Sequence, residues 1–387
     1  MNHLPLGNTD LNTFLSRYWQ KQPLLIRNAL PAIKSPLSAE QLAGLAFKET
    51  VESRLIIKTQ DAWLLRHGPF NCDDFTSLPN TNWTLLVQAV DHYIPEAAEL
   101  LEQFNFIPRW RIDDLMMSYA SDGGGVGPHY DHYDVFLVQT QGQRQWEVGG
   151  HYDDNSALRS DMPLKILRDF QAEQSWLLNP GDILYMPPGV GHNGVARGSD
   201  CITCSVGFRA ASHNELLREY TDYISDKLSE SLRYCDPDLT QQQNTGEISA
   251  QALTKVRRIL SHYLQDQDSI ADWFARYVTT PKYQTLNDLE PLQSEHSYTP
   301  AELKNYLFSD RYLMRNESSR FAYISYDGLN RIYVDGIFIE TGKESNDLVE
   351  YLCSNLKICS NEFTQNKNNL LLLLTLLNQG ALYFNDE

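Results

Sequence analysis

Cysteine is scarce: six residues scattered along 387, too dispersed for a disulfide-stapled fold. Long apolar runs are missing as well. The longest, the five leucines at 370–374, reaches Leu377 only by passing Thr375, far short of the roughly 20 residues that a membrane-spanning helix needs. The N-terminus, MNHLPLGNTDLNTFL, has neither a basic n-region nor an apolar h-region, so no signal peptide is expected. Basic residues are in deficit, 32 against 50 acidic, for a net charge of −18. A protein held to nucleic acid through a nonspecific phosphate footprint carries the opposite balance. Internal repeats and low-complexity tracts are also missing. These absences predict a cytoplasmic chain with reduced thiols, no membrane partner and no direct hold on nucleic acid.

What is present is globular in composition, 42% hydrophobic and 21% charged, with a length that suggests two or three domains. Leu11, Phe14, Leu15 and Tyr18 fall at helical spacing behind Asp10, a capping residue. Pro23 ends that helix, and 24–26 reads as a strand. Ser38-Ala39-Glu40-Gln41 has the form of a capping box, and 54–66 reads as a strand pair. From about 110 to 209 short β-rich runs (135–140, 144–149, 175–178, 182–186 and 201–208) alternate with Gly, Pro, Asn and Asp, the pattern of a sandwich or barrel.

Beyond 210 the periodicity turns helical. Three apolar stripes follow: Leu216, Leu217, Tyr220, Tyr223, Ile224 and Leu228; then Leu253, Val256, Leu260 and Tyr263; then Ile270, Trp273, Phe274 and Tyr277. The polar stretch 236–246 between the first two reads as an exposed loop. From about 290 a helix start at Thr299-Pro300, strands at 321–326 and 331–334 and a buried helix at 369–377 predict a small winged-helix-like domain. Residues 291–387 carry 13 acidic and 8 basic side chains, a net of −5, which argues against a grip on a nucleic-acid backbone.

The chemistry concentrates in two segments. In Gly123-Gly-Gly-Val-Gly-Pro-His129-Tyr-Asp131, His129 and Asp131 share a face if they lie on a strand. A third ligand must then come from another strand. The candidate is His192, in Gly181-Asp-Ile-Leu-Tyr-Met-Pro-Pro-Gly-Val-Gly-His192, where two turns flank a short apolar strand. Two imidazoles and one carboxylate make the facial triad of non-haem Fe(II) oxygenases, which leaves half of an octahedron open. An H-x-D alone is common by chance. Its weight comes from the Gly-rich approach and the second segment, each set beside a strand.

The second segment, G-x5-P-x-G-x2-H, looks like the second motif of the cupin barrels. The first is similar to their first motif, with Asp for a His. The order H-x-D then H, after KQPLLIRNALP, resembles the JmjC branch of 2-oxoglutarate oxygenases. More narrowly, RIDDLMMSYASDGGGVGPHYDHYDVFLVQTQGQRQW, GDILYMPPGVGH and SVGFRA resemble the bacterial ribosomal oxygenases, arginine hydroxylases of a large-subunit ribosomal protein among them. The likeness is strong over about 1–210 and weaker beyond.

That resemblance implies an α+β chain. A double-stranded β-helix (a cupin/JmjC jelly roll) over 1–209 precedes a helical dimerisation region over 210–285 and a winged-helix-like domain over 286–387. It implies Fe(II) held by His129, Asp131 and His192, 2-oxoglutarate as co-substrate and O2 as oxidant. Arg144 matches the family's arginine for the distal carboxylate, which a guanidinium grips through two parallel hydrogen bonds. Ser118 and Thr203 match polar positions beside the co-substrate. A homodimer acting on a basic ribosomal protein of the large subunit is the implied assembly, and an acidic enzyme suits that partner. Asp113, Asp114 and Asp134 are candidates for receiving a substrate guanidinium.

Other signals are weaker. His132, one residue from Asp131, is expected to face away from the metal. Gly123–Gly127 is not a dinucleotide fingerprint, because Pro128 stands where a glycine is required. Cys201-x-x-Cys204 reads as two core thiols on opposite strand faces rather than half a zinc site. The segment 193–200 fits the family pattern loosely and is expected to hold a small insertion. The rival readings are a histidine hydroxylase of a ribosomal protein, a metal cupin acting on a small molecule without 2-oxoglutarate, a non-catalytic binding module, and a nucleic-acid-binding winged helix.

Overall fold

The structure, a computed structural model, describes residues 4–60, 62–282, 297–307, 311–359, 363 and 365–385. The expected boundary at 285/286 lies outside these. The chain forms two compact units. One comprises Met1–Ala210, Pro281–Ser319 and Ser354–Glu387; the other comprises Ala211–Thr280 and Arg320–Cys353.

The first unit is built on nine strands: β1 (Leu24–Ile26), β2 (Ser53–Lys58), β3 (Trp63–His67), β4 (Trp83–Val87), β5 (Ile112–Ala120), β6 (Val135–His151), β7 (Gln174–Leu178), β8 (Ile183–Met186) and β9 (Val190–Phe208). They pair in the order β1-β8-β6-β9-β5-β4-β2-β3, with β7 on β6. Every pairing is antiparallel. This is the expected double-stranded β-helix.

Alternation along β6 explains how both of its faces are buried. Phe136 and Val138 enter one core with Phe14, Phe104, Tyr185 and Phe208. Val135 and Leu137 enter a second core with Trp146, Val148, Leu184 and Met186. The short helices α1 (Leu11–Thr13), α2 (Ala39–Leu45), α3 (Cys72–Thr76) and α4 (Pro95–Leu101) precede β6. Asp10 caps α1 through the Thr13 N–H, and Ser38 with Gln41 closes the capping box of α2.

One stretch differs from expectation. The runs at 135–140 and 144–149 are one 17-residue strand, β6. The Gly142 turn signal is absorbed as a bulge, with register shifts at Gln139/Gln141 and Gln141/Gln143 and Gly142 at φ +62°. The loosely matched segment 193–200 lies within the 19-residue strand β9. Between Arg197, opposite Gln143, and Ile202, opposite Gln141, β9 carries four residues against Gly142 alone, with positive φ at Gly198 and Asp200.

The first unit also holds α8 (Pro300–Leu307), β10 (Leu313–Arg315), β14 (Lys357–Ile358), α10 (Lys367–Asn378) and β15 (Leu382–Phe384). These strands form a small sheet in the order β14-β10-β15. The second unit holds α5 (His213–Ser225), α6 (Ala250–Leu264), α7 (Gln267–Thr279) and α9 (Asn346–Ser354) with strands β11 (Phe321–Tyr326), β12 (Leu329–Val334) and β13 (Ile337–Ile339). Tyr220, Ile224 and Trp273 form its helical core, and the Tyr333 hydroxyl donates to Asp272 at 2.9 Å. The helix–strands–helix elements predicted for the C-terminal stretch are present, but packing divides them between the units. Residue periodicity alone carried no sign of that division. Among the described residues no helix is long and apolar enough to cross a membrane.

Candidate active site and metal centre

His129 and Asp131 do not lie on a regular strand, contrary to the sequence expectation. Pro128 has no N–H to give a ladder, and Gly127 sits at φ +84°, so the chain leaves the sheet here. A reciprocal backbone pair replaces the ladder. His129 N–H donates to the His192 carbonyl at 2.9 Å, and His192 N–H returns to the His129 carbonyl at 2.8 Å. The Asp131 carbonyl is tied to Gly189 N–H at 2.8 Å, inside the turn that feeds β9.

The result brings one ligand atom from each of His129, Asp131 and His192 within 4.8 Å of one another. His192 Nε2 lies 3.6 Å from an Asp131 oxygen, and the imidazole centroids are 4.3 Å apart. Each imidazole is oriented by its own backbone. His129 Nδ1 meets the Gly127 carbonyl at 2.8 Å, and His192 Nδ1 meets the Val190 carbonyl at 3.0 Å. A carbonyl only accepts, so Nδ1 carries the proton and Nε2 keeps a lone pair for a metal.

Burial holds His192 down to about 4, with the His129 ring adding to that and the Asp131 carboxylate opposing it. The ligand is therefore neutral at neutral pH. Tyr133 directs its phenol onto Asp131. The Asp131 charge raises its pKa, assisted by burial, the Asp114 charge and the hydrogen bond to Asp131, and opposed by Arg54.

Arg144 and Trp146 stand two apart on β6 and so share a face; Trp146 belongs to the interior core with Val148. Arg144 is 4% exposed. Its Nε meets the Cys201 sulfur at 3.5 Å, while its Nη2 has no hydrogen-bond partner among the described residues. A buried guanidinium nitrogen left unpaired costs several kcal/mol, so the site is built to receive an anion.

Ser118 lies directly across from Thr203, and Thr203 across from Gln139. The three form one rung, all buried. The Thr203 hydroxyl donates to Gln139 Oε1 at 2.9 Å, whereas Ser118 makes only a long 3.4 Å bond to the Thr203 carbonyl. Ser118 is thus the freer hydroxyl of the two. A donor set of two imidazoles and one carboxylate suits Fe(II), and the unpaired guanidinium suits the far carboxylate of a dicarboxylic co-substrate. On both counts the residues present fit the groups that the motifs implied.

Residues 99–216 match the JmjC domain family, and 262–383 match the ROXA-like winged helix. The chain is 33% identical over 377 residues to the ribosomal protein uL16 3-hydroxylase of Escherichia coli, covering 96% of each. The chain belongs to the JmjC ribosomal oxygenases. A probable ribosomal oxygenase of Haemophilus influenzae is also 33% identical, over 84% of this chain and 81% of that one. The structure of the E. coli ribosomal oxygenase YcfD with cobalt and 2-oxoglutarate superposes with a TM-score of 0.85 at 31% identity, over 98% of this chain and 99% of that one.

In this ribosomal oxygenase the three acidic candidates for substrate contact are otherwise engaged. Asp113 pairs with Arg209 at 3.2 Å and with Lys282. Asp114 accepts from Gln88 at 2.7 Å and from the Ala89 N–H at 3.1 Å. Asp134 is fully buried and accepts from Tyr185 at 2.6 Å and Gln20 at 3.0 Å. Burial pushes its carboxyl up, against those hydrogen bonds and the Arg111 charge. None presents a free edge to a substrate guanidinium.

His132 is exposed and lies 3.4 Å from Asp154, outside the metal trio. Cys201 and Cys204 are both buried, in different clusters on opposite strand faces, and burial pushes the Cys204 thiol up to about 12. Sequence reasoning passed over Tyr133 and Trp146. Trp146 follows Arg144 at strand same-face spacing, a signal the sequence did carry; Tyr133, on an irregular segment, had none.

Proposed function

We propose that this ribosomal oxygenase is an Fe(II)- and 2-oxoglutarate-dependent hydroxylase acting on the β-carbon of an arginine in a basic large-subunit ribosomal protein. The observation that carries the co-substrate is the buried, unpaired Arg144 guanidinium on the strand that pairs with the His192 strand. The target class rests on kinship with the uL16 3-hydroxylase along nearly the whole chain.

His129, Asp131 and His192 would hold the iron, and Arg144 the distal carboxylate of 2-oxoglutarate. When bound, iron and co-substrate supply the oxidant that puts one atom of O2 into a C–H bond while 2-oxoglutarate becomes succinate and CO2. The chain's own part is to keep His192 neutral, to aim both imidazoles through their backbone carbonyls, to steady Asp131 through Tyr133, and to wall the interior. Ala120, Ala196 and Cys201, all fully buried, line that wall with small side chains. The charge of −18 draws a basic substrate. We place the enzyme in the cytoplasm, with its substrate.

The test incubates the protein with Fe(II), 2-oxoglutarate, O2 and uL16, and maps added oxygen by tandem mass spectrometry. One oxygen on an arginine is expected. An oxygen on a histidine would move the target. No oxygen and no succinate from folded, iron-loaded protein would overturn the reading.

A homodimer is part of the same proposal. No residue of α6 is buried, yet Leu253, Val256, Leu260 and Leu264 are 54%, 44%, 57% and 47% exposed. An apolar stripe of this kind needs a cover, and a two-fold pairing offers the same stripe from a second copy. Leu253→Asp with Leu260→Asp is expected to convert two-chain particles to single chains in light scattering. An unchanged mass would remove α6 from the interface.

A further inference from the structure

Trp146 is a second buried donor left without a partner among the described residues. The side chain is 4% exposed, and its indole Nε1 meets no hydrogen-bond acceptor there. An unmade hydrogen bond at a buried N–H costs about 1–3 kcal/mol, so its persistence calls for an acceptor that arrives from outside.

The position of the ring indicates which acceptor. The Arg144 guanidinium carbon and the His192 imidazole centroid each lie 5.8 Å from the Trp146 ring centroid. In the β6–β9 register the Trp146–Gly194 pair falls between the Arg144–Ala196 and Val148–His192 pairs. A molecule reaching from the Arg144 guanidinium to a metal on His192 must pass along the indole.

Space for that ring is reserved in the chain. Trp146 faces Gly194 across the β6–β9 pair, and a Cβ at Gly194 would come within 2.6 Å of the six-membered ring. Glycine there leaves room for the indole, and the three ring atoms nearest that position all belong to the six-membered ring rather than to the N–H-bearing pyrrole.

We propose that the Trp146 indole N–H is a co-substrate-binding donor, giving its hydrogen bond to a carboxylate oxygen of 2-oxoglutarate. This rests on the reading of Arg144 as the co-substrate anchor. Two unpaired donors two residues apart on one strand face, beside a metal trio, form a joint cradle for a dicarboxylate. A neutral N–H adds direction where the guanidinium supplies charge. It also favours an anion of fixed length, because the two donors engage together only when the ligand spans them.

The test uses the full-length protein loaded with Co(II) under nitrogen, with 2-oxoglutarate as titrant. Seven tryptophans give seven indole N–H signals in a nitrogen–proton spectrum. The one missing from Trp146→Phe is that of Trp146. It should shift as 2-oxoglutarate is added, and Trp146→Phe should weaken 2-oxoglutarate binding by about ten- to hundredfold, with Co(II) binding unchanged.

The inference fails if 2-oxoglutarate binds the wild type and binding is lost in Arg144→Ala, yet the Trp146 signal stays in place and Trp146→Phe binds within twofold of wild type. The Arg144 reading then survives alone. If the wild type does not bind 2-oxoglutarate and Arg144→Ala changes nothing, both readings fall together.

Discussion

Hydroxylation should fall by at least about a thousandfold in Asp131→Ala, because the substitution removes the only charged donor of the metal trio. The two imidazoles would remain, each still oriented by a backbone carbonyl, but a divalent ion would lose the anion that balances it. The fold should not suffer. The Asp131 side chain is partly exposed and its backbone contact to Gly189 is unaffected, so the metal-free stability should stay within about 1 kcal/mol. Metal content after desalting, denaturant unfolding and turnover are the three measurements. Retained iron together with retained turnover would exclude Asp131 as a ligand. Lost turnover with a collapsed fold would show that the residue is structural.

Arg144 should behave in the opposite way on the two sides of ligand binding. Removing one partner of a buried charge pair typically costs 3–5 kcal/mol, so Arg144→Met should weaken 2-oxoglutarate by about 10²–10³-fold. In ligand-free protein the same substitution replaces an unpaired buried cation with an apolar side chain of similar length. Exchanges of that kind are neutral or stabilising. The variant should therefore melt at or above the wild-type temperature without 2-oxoglutarate and below it at saturation. A variant destabilised in both conditions would mean that the guanidinium serves the fold through Cys201. Arg144→Lys keeps the charge without the planar fork and should fall between.

Much of this was written in the sequence, and the reasons are local. Capping at Asp10 and Ser38, the strand pair at 54–66 and the three helical stripes are short-range patterns, and each appears close to where the residues put it. The metal trio was legible because glycine, proline and histidine at fixed spacing leave few ways to fold. What was missed depends on partners distant in the chain. Glycine at 142 reads as a turn, yet opposite β9 it is a bulge within one strand. His129 and Asp131 were assigned to a strand because alternation places them on one face. The observed segment reaches the same convergence through backbone bonds to His192 and Gly189, which a linear reading cannot see. Asp113, Asp114 and Asp134 looked available because their partners, Arg209, Gln88 and Tyr185 among them, come from elsewhere in the chain. The split of the C-terminal stretch between two units is the same kind of property.

The reciprocal backbone pair between His129 and His192 has a further consequence. In small zinc domains the ligands are gathered by the ion, so losing it means unfolding. Here two amide–carbonyl bonds hold the ligand-bearing segments together whether or not a metal sits between their side chains. Stripping with a chelator and refilling should therefore be a passage between two folded states. Reactivation on refilling should then follow ion uptake, with no refolding step in the way.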